Sequence, residues 1–395
     1  MTDIKRISMG FLLLCVFAMG RITGQVNLPQ QSPKASVAYT IGLTEVKIEY
    51  GAPAVKDREI WGRVVPYNEV WRAGANQATT ISFSTDVNME GQTLRAGKYA
   101  LFLIPRETEW TVIFNRKHDQ WGAYTYDETA DEIRFTVEPK MNEAVQERLL
   151  YSIHDMKSDM GYIKLSWDRM RLFMRFKVNV MEQAMANIID ALATGPQDKQ
   201  WMVYAQGADF LMQYEGDPGQ ALDWARKSTD LESHAWNWHI RAKAEAMQEE
   251  YVDALASSIK SLKTGMADPA DMYFKASVDR IIGEAATYVE PAIAAAPPER
   301  QWIVYAQGAE CLLYSASHND QALAWAVKST EMREHPWNWY LRAQAEARSG
   351  DFTSAVASAK KSSALGAADP ADVFYRDNQT TIEAAIAEWS IKHHE

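Results

Sequence analysis

Cysteine is almost absent from this 395-residue chain: Cys15 and Cys311 are the only two. Cys15 lies in an apolar N-terminal run, and removal of that run leaves Cys311 alone, so no intrachain disulfide frames the fold. Cys311 falls in the apolar helical pattern ECLLY and reads as a small core residue rather than a reactive thiol. Basic excess is missing too. The net charge is −11 and is unevenly spread: from Gln25 to Val180, 20 basic residues balance 20 acidic ones, whereas from Met181 onward 18 basic residues face 31 acidic ones. An acidic surface repels phosphate backbones and anionic bilayers, which argues against nucleic acid as a partner and against adsorption to such a membrane. Several signatures of familiar chemistry are also missing. There is no HExxH, no paired cysteine motif, no glycine-rich phosphate loop and no GxSxG, so neither a metal nor a cofactor is expected.

Long apolar runs are lacking after the first twenty residues. Within them, Lys5 and Arg6 precede an apolar stretch from Ile7 to about Gly20, followed by Thr23, Gly24 and Gln25. The run is shorter than the ~20 apolar residues of a membrane-spanning helix. It reads as a secretory signal occupying residues 1–25, with the mature chain starting near Val26 or Asn27. Leu14 is too large for the small residue that lipidation of Cys15 prefers. The expected location is periplasmic or extracellular, with no integral membrane segment in the mature chain.

What is present divides by period. Residues 26–180 hold nine short segments of period two, at Ser36, Thr44, Thr79, Lys98, Glu109, Asp131, Arg148, Tyr162 and Arg171. In one of them Val46, Ile48 and Tyr50 alternate with Lys47 and Glu49. Turn signals such as Glu90-Gly91 and Ala96-Gly97 separate them, so the expected fold is an antiparallel β-sandwich. From Met181 the period becomes helical and the chain repeats itself at an offset of 101 residues. Trp201, Trp224, Trp236 and Trp238 are matched by Trp302, Trp325, Trp337 and Trp339, and GMADPADMYF at Gly265 by GAADPADVFY at Gly366. The expected units are 181–283 and 284–395, each of two helical hairpins plus a connecting segment. Gly265 reads as a helix C-cap, and Asp268-Pro269-Ala270-Asp271 as the capping start of the next helix, with Asp268 as the cap.

The stretch GAPAVKDREIWGRVVPYNEVWRAGANQAT, 51–79, is too long and too aromatic for a simple turn. Arg72 and Asn76 lie four apart beside Trp71, a set that can offer a guanidinium fork, an amide and an aromatic wall to a carboxylate or sugar. The same residues can equally lock the loop on itself. His118, Trp121 and Tyr124 follow the strand at Glu109 and are placed at the same end of the sandwich; His118 has no second histidine at a ligand spacing. In the helical half, Asn237, Arg241 and Glu245 step by four and recur as Asn338, Arg342 and Glu346. They share a helix face, either for a partner or for pairing between hairpins.

Two resemblances carry these expectations further. SPKAS at Ser32, YGAP at Tyr50, REIWGRVVPYNEVWRAGANQAT at Arg58, RAGKYALFLIP at Arg95, EWTVIFN at Glu109 and WGAYTYD at Trp121 resemble the bacterial domain-of-unknown-function family 2911 over about residues 31–180. Where that family commonly has Gly before the first Arg of the loop, this chain has Asp57. The resemblance implies an exported protein with an all-β domain, and no established activity. Gly207, Tyr214, Ala221 and Trp224, then Ala246, Tyr251 and Ala254, resemble tetratricopeptide repeats, without the proline that commonly ends such a repeat after Leu231 and Lys263. The fold class expected is therefore an all-β sandwich followed by an all-α helical-hairpin array. The function expected is non-enzymatic binding or scaffolding, with the array presenting a concave face to a protein or peptide. The alternative is a secreted hydrolase of glycan or peptide with its site at Trp71–Asn76.

Overall fold

The computed structural model describes residues 28–392 except Pro370, so the expected signal and Cys15 lie outside the described residues. The chain divides after Val180 into two units.

The first unit contains β1 (Lys34–Ile41), β2 (Thr44–Gly51), β3 (Thr80–Phe83), β4 (Val87–Met89), β5 (Gln92–Leu94), β6 (Gly97–Ile104), β7 (Trp110–Asn115), β8 (Asp131–Val137), β9 (Lys140–His154) and β10 (Met160–Val178). They form two antiparallel sheets, β1-β2-β3-β6-β7-β8 and β5-β4-β10-β9. Alternation sets the faces: Val46, Ile48 and Tyr50 of β2 are buried, and Lys47 and Glu49 point away. The segments expected at Tyr162 and Arg171 are one continuous strand. Asp168, at φ +49°, absorbs a register shift against β9 in the middle of it, so the chain bends without ending the strand. The Glu90-Gly91 turn joins β4 and β5, which are three residues each and too short for a period-two signal.

The 51–79 loop fills the core. Trp61 meets Trp71, Trp110 of β7 and Trp167 of β10, and Trp71 meets Trp167, with ring centroids 4.7–5.9 Å apart. Each indole buries on the order of 150–250 Å², so this cluster links strands of the two sheets through the loop. Asp57 sits at φ +55°, the left-handed conformation that glycine adopts freely, so the turn survives without glycine.

The second unit contains α1 (Val180–Thr194, from its second residue), α2 (Gln200–Gln213), α3 (Pro218–Leu231), α4 (Ala235–Met247), α5 (Tyr251–Ala267), α6 (Met272–Ala295), α7 (Gln301–Leu312), α8 (Asn319–Met332), α9 (Pro336–Arg348), α10 (Phe352–Ala368) and α11 (Val373–Lys392). Four hairpins, α2/α3, α4/α5, α7/α8 and α9/α10, pack in sequence, and α2 touches α4, α4 touches α6, α7 touches α9, and α9 touches α11. The expected boundary at 283/284 falls inside α6, which runs unbroken across it. One helix thus closes the first copy and opens the second.

Two cap assignments are corrected. Asp271, not Asp268, caps α6, its carboxylate accepting from the Phe274 N–H at 2.8 Å. Gly265 lies within α5. Its role is close approach: a Cβ there would sit 2.1 Å from the Phe274 ring. The counterpart Gly366 faces Tyr375 at 2.0 Å.

Candidate functional site

The polar residues shared by the two helical copies are structural. Asn237 and Asn338 are fully buried. The Asn237 Oδ1 accepts from the His234 N–H at 2.9 Å, while Nδ2 donates to the Glu232 carbonyl at 2.7 Å and to Ser228 Oγ at 3.0 Å. Ser228 in turn donates to the Trp201 carbonyl at 2.7 Å, which ties α2, α3 and α4 together. The second copy repeats this set at His335, Arg333, Ser329 and Trp302. Glu245 and Glu346 are buried as well and accept from Arg241 and Arg342 at 2.7 and 2.8 Å. Arg241 and Arg342 lie 5.0 Å from the Trp238 and Trp339 rings. These asparagines and glutamates are buried, which fits the pairing between hairpins rather than the partner-facing one of the two readings. Helical periodicity shows which residues share a face, not whether that face is covered.

What the copies do not share lies on the α2–α4–α6 side. Lys243 of α4 reaches Asp209 of α2 at 3.4 Å. His239, buried, has Nε2 2.8 Å from Glu284 Oε2 of α6 and Nδ1 2.5 Å from the Tyr273 hydroxyl. With Nε2–H donating to the carboxylate, Nδ1 accepts from the tyrosine O–H. Arg280 adds a 3.3 Å contact to the same hydroxyl. At an offset of 101 these positions become Gln344, Tyr340, Phe374, Thr381 and Ala385. There, Tyr340, Phe374 and Ala385 belong to an apolar cluster with Ile382.

The His239 contact holds the Glu284 carboxyl below its usual 4.5, against desolvation. A depressed carboxylate contributes stability above its unfolded-state value and loses it as pH falls through the folded value. Thermal melting of wild type and Glu284→Gln from pH 7 to pH 3 therefore shows a gap at neutrality that narrows below about pH 4.5. A gap of constant width would show that Glu284 makes no such contribution.

In the β-unit, Arg72, Asn76, Trp71 and Trp121 border one cleft of about 630 Å³, and Asn76, Trp121 and His118 border another of about 860 Å³. Tyr124, 83% exposed, borders neither. The walls are held by backbone pairing. Trp71 and Leu103 exchange N–H···O bonds of 2.7 and 2.9 Å, and Gly122 N–H donates to the Asn76 carbonyl at 3.0 Å. The Ala73 carbonyl accepts from both Thr79 and Tyr151, at 3.0 and 2.8 Å. The Asn76 amide is consumed by Gln30 and the Ser32 carbonyl. Trp71 is buried and its indole N–H donates to the Gly74 carbonyl at 3.2 Å. These two residues lock the loop.

The larger cleft holds its own counter-charges: Glu49 is 3.0 Å from Lys98 and 3.6 Å from Lys34, and the Lys98 hydrogen bond lowers its pKa. Among the described residues, no group of His, Cys, Asp or Glu has the arrangement to hold a metal. Cys311 is fully buried, which pushes its thiol pKa up and suppresses the thiolate.

Residues 32–176 match the family described as "Protein of unknown function (DUF2911)". No curated protein matches the chain. Similar solved structures are tetratricopeptide proteins that match the helical region. TTC0263 from Thermus thermophilus, titled a thermophilic TPR protein, is 16% identical over 52% of this chain and 98% of its own, at TM-score 0.31. YrrB, titled a TPR protein with an unusual peptide-binding site, is 18% identical over 49% of this chain and 97% of its own, at TM-score 0.23. PilW, titled a widely conserved type IV pilus biogenesis factor, is 17% identical over 49% and 91%, at TM-score 0.23. The stacking of hairpins described above stands on the helices themselves.

Proposed function

We propose that this chain is an exported, non-enzymatic binding protein whose helical unit recognises a polypeptide partner along α2, α4 and α6. One observation carries the reading: the row Asp209, Lys243, Glu284, Tyr273 and Arg280 exists in the first copy and is replaced in the second by uncharged or apolar residues, apart from Glu310 at the Asp209 position. Packing needs common to both copies explain the buried asparagines and glutamates. They do not explain a charged, tyrosine-bearing row that only one copy carries. A half-buried tyrosine and an exposed arginine beside paired charges suit a protein surface that must be wet when free and dry when bound.

A photoreactive residue in place of Lys243, and separately of Gln344, tests the assignment in the full chain within producing cells. The reading predicts a discrete adduct from position 243 and none from 344. Equal adducts at both, or none at either, would contradict it. Export rests on Lys5, Arg6 and the apolar run after them. It predicts a mature N-terminus near Val26 or Asn27 in the secreted or periplasmic fraction, and a chain retaining Met1 in the cytosol would contradict it.

A further inference from the structure

Among the described residues, the smaller cleft of the β-unit is lined by the cationic side chains Lys56, Arg58 and Arg72 and by no carboxylate; the Glu147 carboxylate, outside the lining, accepts from the Lys56 backbone N–H at 3.0 Å. Arg58 is spent on the carbonyls of Val55 and Ala54, at 3.0 and 2.6 Å, yet its charge remains at the wall. Arg72 is different. Its Nε is buried without a hydrogen-bond partner, and so is the indole nitrogen of Trp167, which borders the same cleft. A buried donor left unmatched is destabilising, more so when it is charged, and two beside one cleft call for an acceptor.

We infer that this cleft binds an oxyanion, a carboxylate or phosphate carried by a small molecule with an apolar ring face. The guanidinium is the side chain best shaped for two-point contact with such a group. Trp121, 57% exposed at the edge of the cleft, offers a flat face to the rest of the ligand. The backbone around the site is held in conformations that ordinary residues avoid: Lys56, Asp57, Ala73 and Asn76 lie at φ +50°, +55°, +53° and +65°. Left-handed backbone is disfavoured for residues such as Lys56 and Ala73, less so for Asp57 and Asn76, and persists where surrounding bonds enforce it, as Thr79 and Tyr151 do at Ala73. Such a scaffold keeps Arg72 in place before the ligand arrives. The larger cleft next to it differs, with Glu49 already matched to Lys34 and Lys98.

The test is titration of the full chain with D-glucuronate, inorganic phosphate and D-glucose, following the indole N–H resonance of Trp167 by NMR. An anion is expected to shift that resonance, and glucose is expected to leave it unmoved. Arg72→Gln is expected to weaken anion binding at least about tenfold. Lys56→Ala, at an exposed side chain with no ion pair among the described residues, is expected to weaken it several-fold with the melting temperature unchanged, which keeps the test open if the Arg72 variant does not fold. Binding of glucuronate without phosphate assigns a carboxylate ligand, and the reverse assigns a phosphate. Absence of any Trp167 shift with both anions at about 20 mM, glucose binding as tightly as glucuronate, or anion binding untouched by Lys56→Ala would overturn the site.

Discussion

Asn237→Ala lowers the stability of the helical unit by about 3 kcal/mol, and Asn338→Ala lowers it by a similar amount. Each substitution strips partners from a backbone N–H, a backbone carbonyl and a serine hydroxyl at a fully buried position, and unmatched buried groups cost about 1–3 kcal/mol apiece before relaxation. For a unit of this size that corresponds to roughly 6–12 °C in melting temperature. Asn237→Asp separates hydrogen bonding from volume. The isosteric carboxylate cannot donate to the Glu232 carbonyl and would face it as a buried charge, so it destabilises at least as much as alanine. Tolerance of aspartate, measured by thermal or urea unfolding, would show that the site is filled rather than bonded.

The second large effect is a contrast among glycines. Gly265→Ala and Gly366→Ala each drive a methyl into an aromatic ring, Phe274 or Tyr375, whose own Cβ lies only 2.8 or 2.5 Å from the new atom. The ring cannot rotate away from a clash so near its base. Overpacking of this kind costs about 1–3 kcal/mol, and contacts this short put it at the upper end. Gly283→Ala, at an open position inside α6, instead gains about 0.5–1 kcal/mol, because alanine loses less backbone entropy on entering a helix. Urea unfolding of the three variants reads this directly. A loss at Gly283 as large as that at Gly265 would show that the space beside each glycine does not set the cost.

Much of the architecture is legible in the residues themselves. Period-two alternation marks β2, and the 101-residue offset marks the helical duplication, because packing shared by two copies preserves both small and aromatic positions. The β4–β5 hairpin leaves no periodic trace at three residues per strand, and the bend at Asp168 makes one strand read as two. The identity of Gly265 is visible, but its reason is not, since a C-cap and a close approach both demand glycine. The candidate site is legible only in part. Arg72 and Trp121 reach one cleft, whereas Asn76 and Trp71 are turned to holding the loop, and Tyr124 stands apart in solvent. Spacing cannot separate these cases because all five lie in irregular backbone. The row at Lys243, His239 and Glu284 escapes a search for shared residues for a plain reason: it is what the copies do not share. Comparison of the mismatched positions, Tyr340 for His239 and Ala385 for Glu284, holds that signal.

The most direct test of the division between shared framework and copy-specific recognition is a graft of second-copy residues into the first: His239→Tyr, Lys243→Gln, Tyr273→Phe and Glu284→Ala together, with melting and photo-crosslinking from position 209 measured on the same chain. The account predicts a melting temperature within a few degrees of wild type, since the second copy packs with these residues, and loss of the partner adduct. Retention of the adduct in the folded graft, or its loss only in step with unfolding, would contradict it.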